Sequence, residues 1–245
     1  RQRQMCIRDR HDMGGRFGDG PIPLKKIDGK VVDDEPVFKT DWHAKAFAIT
    51  VASASVGKWS IDKSRFFRES LPPKDYAKFD YYEKWSSALI NLLVERGLIN
   101  KNDLIEITKK AKEDNLEVSQ VVDKHQDVLK AKDVAITLGR GGPSAREVLH
   151  SPKFKVGQEV RTINYSPNKN IIGGHTRLPI YARGKKGKVI LHHKGHVLPD
   201  ASAHDLGDSP EHLYTVEFLS TELWGNKDGN QKDSICIDLW ESYLI

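Results

Sequence analysis

Three histidines and two arginines are the residues of this 245-residue chain whose types and spacing could do chemistry. His192, His193 and His196 form an HHxxH cluster, and imidazole is the commonest metal ligand. On a regular strand His192 and His193 point to opposite faces, so they cannot both reach one ion. No carboxylate or cysteine stands close by in sequence to complete a site, so the cluster reads as surface histidines and no metal is expected on this chain. The two cysteines, Cys6 and Cys236, cannot build a thiolate cage or a disulfide framework. There is no nucleophile elbow, no P-loop and no dinucleotide fingerprint. Arg65 sits in IDKSRFF just after an apolar position, and Arg177 sits in GGHTRLPIY ahead of a proline and a tyrosine. A guanidinium is a fixed fork of donors suited to paired oxygen acceptors, and near apolar residues it is usually partnered. Periodicity alone favours a structural ion pair or a surface position for each.

Positioning these residues requires two kinds of element. Residues 11–36 are rich in Gly, Pro and Asp and cannot bury much of themselves, so they form a tail or an arm laid along a partner. Helical spacing begins at Thr40, with Trp42, Ala46, Phe47, Ile49 and Thr50 in one pattern. Ser60 can cap a helix that Pro72 and Pro73 stop. Asp80 opens the strongest helix, with Tyr81, Trp85, Leu89 and Leu92 or Leu93 as one stripe and Gly97 as its end. Another short helix is expected from Asn102 to Lys112, and weak helical period continues near 121–135. The GRGGP run at 139–143 marks a boundary. Beyond Pro152 the period shortens, and residues 189–193, 213–218 and 234–239 read as strands of a small β-barrel or roll.

Thirty-nine basic residues face 34 acidic ones, giving a net charge of +5. The signs are interspersed, so the excess serves solubility or attraction to an acidic partner protein rather than a nucleic-acid footprint. No apolar run is long enough to span a bilayer and no secretion signal is evident, which fits a cytoplasmic protein. The run Arg183-Gly-Lys-Lys-Gly-Lys-Val resembles the KOW turn of RNA-binding SH3-like barrels, where lysines meet phosphates. Its alternative is a solvated turn whose lysines keep an edge soluble. The first ten residues are basic and aperiodic and read as a cloning artefact.

The longest segments point to a family. HDMGG, GDGPI and DEPVFKTDWHAKAFAI resemble the opening of nitrile hydratase β subunits. IDKSRFFRESLPPKDY and YYEKWSSALINLLVERG continue the likeness. After an interruption near 110–145 it resumes with FKVGQEVR, GHTRLPIYARGKKGKV, PEHLYTVEFLSTELWG and DLWESYL. The resemblance implies an α+β chain: an extended arm over 11–38 wrapping the partner, a helical domain over 39–138, a linker over 139–152 and an SH3-like β-barrel or roll over 153–245.

It also implies an activity, the hydration of nitriles to amides by a complex with an α subunit, as an αβ heterodimer or α2β2 heterotetramer. The metal, cobalt(III) or less favourably iron(III), sits on α in a cysteine cluster, two members of which are oxidised to sulfinic and sulfenic species. This chain then binds no cofactor of its own. Arg65 and Arg177 match the family's arginines that hydrogen-bond the oxidised cysteines, which gives them a catalytic role. Phe47, Tyr81 and Trp85 match the nitrile pocket, with Ile61 as an apolar neighbour. Tryptophan at 85 resembles the cobalt-type enzymes. Ser64 departs from the bulky residue usual on that helix, which leaves substrate size open. A thiocyanate hydrolase subunit is the related alternative, but those subunits resemble separate halves of this chain.

Overall fold

The computed structural model describes residues 26–27, 30–31, 36–113, 127–165 and 168–245. The expected N-terminal artefact and most of the expected arm lie outside the described residues. Strands β1 (Lys26–Ile27) and β2 (Lys30–Val31) form an antiparallel pair. The chain divides into two compact units, one of Asp34–Gly141 and one that joins Gly142–Ile245 with the segment carrying β1 and β2.

The first unit is helical. Helix α1 (Asp41–Gly57) buries His43, Ala46 and Thr50, one or two turns apart on one face. Trp42 and Ile49, which the sequence pattern placed on the same stripe, are exposed. The buried face is set by His43 together with Ala46 and Thr50, and of these the apolar pattern overlooked only His43. At the end of α1 a side chain on Gly57 would strike the Trp59 ring at 1.9 Å, so only glycine lets Trp59 fold back. Trp59 then packs with Leu89 and Leu92 in a small core flanked by Ala54, Phe67 and Leu93.

Helix α2 (Ile61–Glu69) starts as expected, with the Ser60 hydroxyl accepting from Lys63 N–H at 3.1 Å. Pro73 opens the short α3 (Pro73–Lys78), because proline suits a first turn as well as it stops a preceding one. Helix α4 (Tyr81–Glu95) follows, and Lys63 of α2 reaches Glu95 at 3.0 Å. Asn100, not Asn102, caps α5 (Lys101–Lys112). Helix α6 (Ala131–Arg140) runs through the first two residues of the GRGGP run and ends at Gly141.

The second unit is built on one antiparallel sheet, in the order β3 (Glu159–Arg161), β4 (Lys186–His196), β5 (Glu211–Leu219), β6 (Ser234–Trp240). Two short helices, α7 (Pro199–Ser202) and α8 (Ser220–Asp228), cover its connections. The sheet curls until its ends meet. Arg161 and Ile245 exchange both backbone hydrogen bonds at 2.8 Å, and Ile163 N–H reaches the Tyr243 carbonyl at 2.9 Å. Alternation along β5 sends Tyr214, Val216 and Phe218 inward, where they meet Leu178, Val189 and Leu239.

The basic glycine run opens as a turn, with Gly184 at a φ of 67°, and passes into strand β4 at Lys186. Lys186, Gly187 and Lys188 pair with Arg161, Val160 and Glu159 at the start of β4. A Cβ on Gly187 would lie 2.6 Å from Val216 Cγ1 and 2.9 Å from the Phe218 ring, so this glycine admits the core aromatics of β5. Close packing within the curled sheet accounts for the glycine at 187.

Candidate functional site

An aromatic wall occupies one face of α1 and α4. The Asp80 carboxylate caps α4 by accepting from Glu83 N–H at 2.8 Å, and the Glu83 carboxylate accepts from Asp80 N–H at 2.8 Å. This reciprocal box fixes the first turn, which carries Tyr81, and one turn later Trp85. The Trp85 ring lies 5.6 Å from Tyr81 and 5.8 Å from Phe47 of α1. Phe38 extends the row, 6.0 Å from Phe47 and 5.6 Å from Tyr82. Tyr81 is 63% exposed, whereas the next residue, Tyr82, is buried. The sequence stripe therefore splits. Tyr82, Leu89 and Leu92 are core, while Tyr81 and Trp85 form a surface aromatic face. Asp80→Ala is expected to lower the unfolding free energy by about 1 kcal/mol, the usual cost of a lost cap. Urea denaturation of the purified protein measures it.

Two arginines border this wall. The Arg68 guanidinium stacks over the Trp85 ring at 4.4 Å, and burial lowers its pKa from the ordinary value. The sequence reading missed Arg68; its position one turn after Ser64 gave no signal without knowledge of where Trp85 lies. Arg65 donates to Asp62 Oδ1 at 2.9 Å, with Asp62 itself buried. That pairing orients the guanidinium and leaves its side chain 37% exposed. Ile61 opens α2 and is also exposed.

Arg177 belongs to the second unit. Its side chain is exposed, yet its neighbours His175, Thr176 and Leu178 are buried. The backbone around it is tied down by polar groups far away in sequence. Arg177 N–H donates to the Tyr243 hydroxyl at 3.2 Å, and that hydroxyl donates to Asp200 Oδ2. Asn168 Nδ2 donates to the carbonyls of His175 (2.9 Å) and Asp200 (3.1 Å), and His175 N–H donates to His204 Nε2 at 3.0 Å. An exposed cation is thus presented from a rigid base. Burial pushes the Asp200 carboxyl up to about 6, outweighing its hydrogen bond from Tyr243.

Phe47, Tyr81, Trp85 and Arg65 therefore share the helical unit, and Arg177 stands on the β unit. Neither set contains a nucleophile paired with a base. An aromatic wall with oriented guanidinium donors can bind and orient a small ligand or anionic oxygens, and leaves bond-making to a group supplied from elsewhere.

Known sequences carry the same two halves. The family description "Nitrile hydratase beta subunit, N-terminal" matches residues 7–134, and its C-terminal counterpart matches residues 143–245. The chain belongs to the nitrile hydratase β-subunit family. The cobalt-containing nitrile hydratase β subunit of Pseudonocardia thermophila is 35% identical over 234 residues, covering 96% of this chain and 94% of that one. The low-molecular weight cobalt-containing β subunit of Rhodococcus rhodochrous is 34% identical over 236 residues, covering 96% and 97%. The β subunit of Pseudomonas putida is 33% identical, with coverage of 96% and 97%. A thiocyanate hydrolase chain from Thiobacillus thioparus aligns at a TM-score of 0.33 and 21% identity, covering 52% of this chain and 98% of that chain. Nitrile hydratases are hydro-lyases that work as complexes.

Proposed function

We propose that this chain completes the active site of a cobalt nitrile hydratase, as the β partner of a metal-bearing α subunit in an αβ or α2β2 assembly. The observation that carries this reading is the aromatic row from half-buried Phe47 and Trp85 to exposed Tyr81, with the Arg68 guanidinium over Trp85. Tyr81 leaves the edge of the row open to solvent, a place for a partner or substrate to cover. Phe47, Tyr81, Trp85 and Ile61 form the apolar wall against which a nitrile's organic group packs. Arg65 and Arg177 each donate hydrogen bonds to the oxygens of the oxidised cysteines on α, holding those anionic acceptors in a site from which water is excluded. Metal bound to α supplies Lewis-acid activation of the nitrile or of water. Both arginines suit this role because their side chains are exposed while their anchors are buried.

Under the same reading, residues 11–38 form the arm that wraps α, the helical domain covers 39–138, and 153–245 form an SH3-like barrel after a linker at 139–152. The assembly is cytoplasmic. No helix among the described residues is long and apolar enough to cross a membrane.

The test is co-expression with an α subunit bearing the cysteine cluster, in cobalt-supplemented medium, followed by an acrylonitrile hydration assay. Co-purification and acrylamide formation are expected, with no activity from this chain alone. A co-purified, cobalt-loaded complex that hydrates no nitrile would overturn the proposal.

A further inference from the structure

The fold assembles a second histidine cluster that the HHxxH motif does not describe. On β5, His212 lies two residues from Tyr214 on the inward face, and Tyr214 pairs with His192 across β4. His212 Nδ1 lies 3.0 Å from His192 Nε2, and His212 Nε2 lies 2.8 Å from the His150 carbonyl. The His150 ring stands edge-on to His212 with centroids 5.0 Å apart. From the end of β6 comes Glu241, whose side chain is 3% exposed. Its Oε2 accepts from the Tyr214 hydroxyl at 2.7 Å and from Lys153 N–H at 2.9 Å. Its other oxygen, Oε1, lies 3.8 Å from His150 Nδ1 and 3.4 Å from Lys153 Nζ. One ligand atom from each of His150, His212 and Glu241 falls within 4.8 Å of the others.

We propose that His150, His212 and Glu241 form a binding site for a borderline divalent cation such as zinc, separate from the metal carried by α. Two imidazoles and a carboxylate are a common zinc donor set, with the fourth position left to water. Bond lengths near 2 Å place tetrahedral ligands a little over 3 Å apart, so the observed spacing closes by rotation of the exposed His150 side chain. The buried members are already oriented: the Tyr214 hydroxyl holds Glu241, and His192 holds the His212 ring from its far side. Such outer partners fix the tautomer and aim of a ligand. The cation takes one His212 nitrogen in place of its present partner. Lys153, whose side chain is largely exposed, is the resident positive charge that the cation replaces at Glu241. His193 takes no part. It projects to the other face of β4, 2.7 Å from Thr215 Oγ1 and 3.5 Å from Asp238.

The test is calorimetric titration of zinc chloride into the purified αβ complex, after dialysis against a weak chelator that leaves the α-bound metal in place. One zinc per β chain is expected to bind. His150→Ala is expected to weaken that binding by roughly tenfold or more, the usual effect of losing a ligand or its support. It should leave the zinc-free melting temperature unchanged, because its side chain is exposed. Lys153→Met is expected to tighten binding by removing the competing charge, and His193→Ala to leave it unaltered. Absence of saturable zinc binding in the wild-type complex overturns the site, as does wild-type affinity in His150→Ala.

Discussion

Replacing Arg65 or Arg177 with lysine is expected to lower turnover of the assembled enzyme by roughly 10- to 100-fold, the cost of disturbing groups that orient a metal's ligands. Lysine keeps the charge, so the substitution isolates the guanidinium geometry. A planar fork presents two parallel donors to an oxidised sulfur group, whereas an ammonium presents one point charge on a flexible stem. At Arg65 the effect is sharpened by Asp62, which holds one arm of the fork at 2.9 Å and so fixes the direction of the others. A lysine there would fold back onto Asp62 alone. At Arg177 the backbone is pinned through Tyr243, so the side chain starts from a fixed origin. The loss should fall on kcat more than on KM, because in the proposed site the nitrile packs against the aromatic wall and not against the arginines. Steady-state kinetics with acrylonitrile, paired with gel filtration to verify assembly, measure it. Wild-type kcat in either variant removes that arginine from the mechanism.

Sequence reading located helices best where a cap and a period agreed. Ser60 and Asp80 are capping residues followed by clear stripes, and both start helices within a residue of the expected place. It did less well where one residue type serves two ends. Tyr81 and Tyr82 are chemically identical, yet one is open to solvent and the other is core, because the helix's rotation is set by α1 and not by α4 itself. The GKKGK run reads as a turn, and Gly184 is in one, but Gly187 lies in the strand and admits Val216 and Phe218, residues some thirty positions away. The same limit hid the groups that support the arginines. Asp62 could have been found, being three residues from Arg65 on one helix. Tyr243 and Asp200 could not, since only closure of the sheet brings the C-terminal segment beside the Arg177 loop. The histidines show both sides of this. The opposite facing of His192 and His193 follows from strand geometry, but their companions His212 and His150 come from other elements.

The Asp200–Tyr243 pair should make the stability of the β unit fall as pH rises from about 4 through about 6. The Asp200 carboxyl is held up to about 6 against an ordinary value of 3.8, so the folded chain binds its proton more tightly than the unfolded chain does. A group raised in this way contributes fully below the unfolded value, and its contribution is lost as pH passes through the folded value. Above pH 6 the carboxylate is charged and buried, at a cost on the order of 3 kcal/mol relative to its protonated form. The Tyr243 phenol, its own pKa raised by burial and by Asp200, remains a donor throughout this range. Asp200→Asn keeps a carbonyl oxygen for that donor and removes the ionisation. The variant should therefore lose the pH dependence between 4 and 6 and gain stability at pH 7. Tyr243→Phe does the reverse. It strips Asp200 and Arg177 N–H of their shared partner, costing roughly 1–3 kcal/mol for a buried polar group left unsatisfied. Turnover should fall with it, because the Arg177 backbone is no longer tied to the C-terminal segment at Tyr243. Thermal melting of the complexes across pH 4 to 8, with wild type as reference, isolates this pair from every other titrating group. An Asp200→Asn curve parallel to wild type would mean that the carboxyl does not titrate in this window, and that the Arg177 anchor draws its rigidity from packing alone.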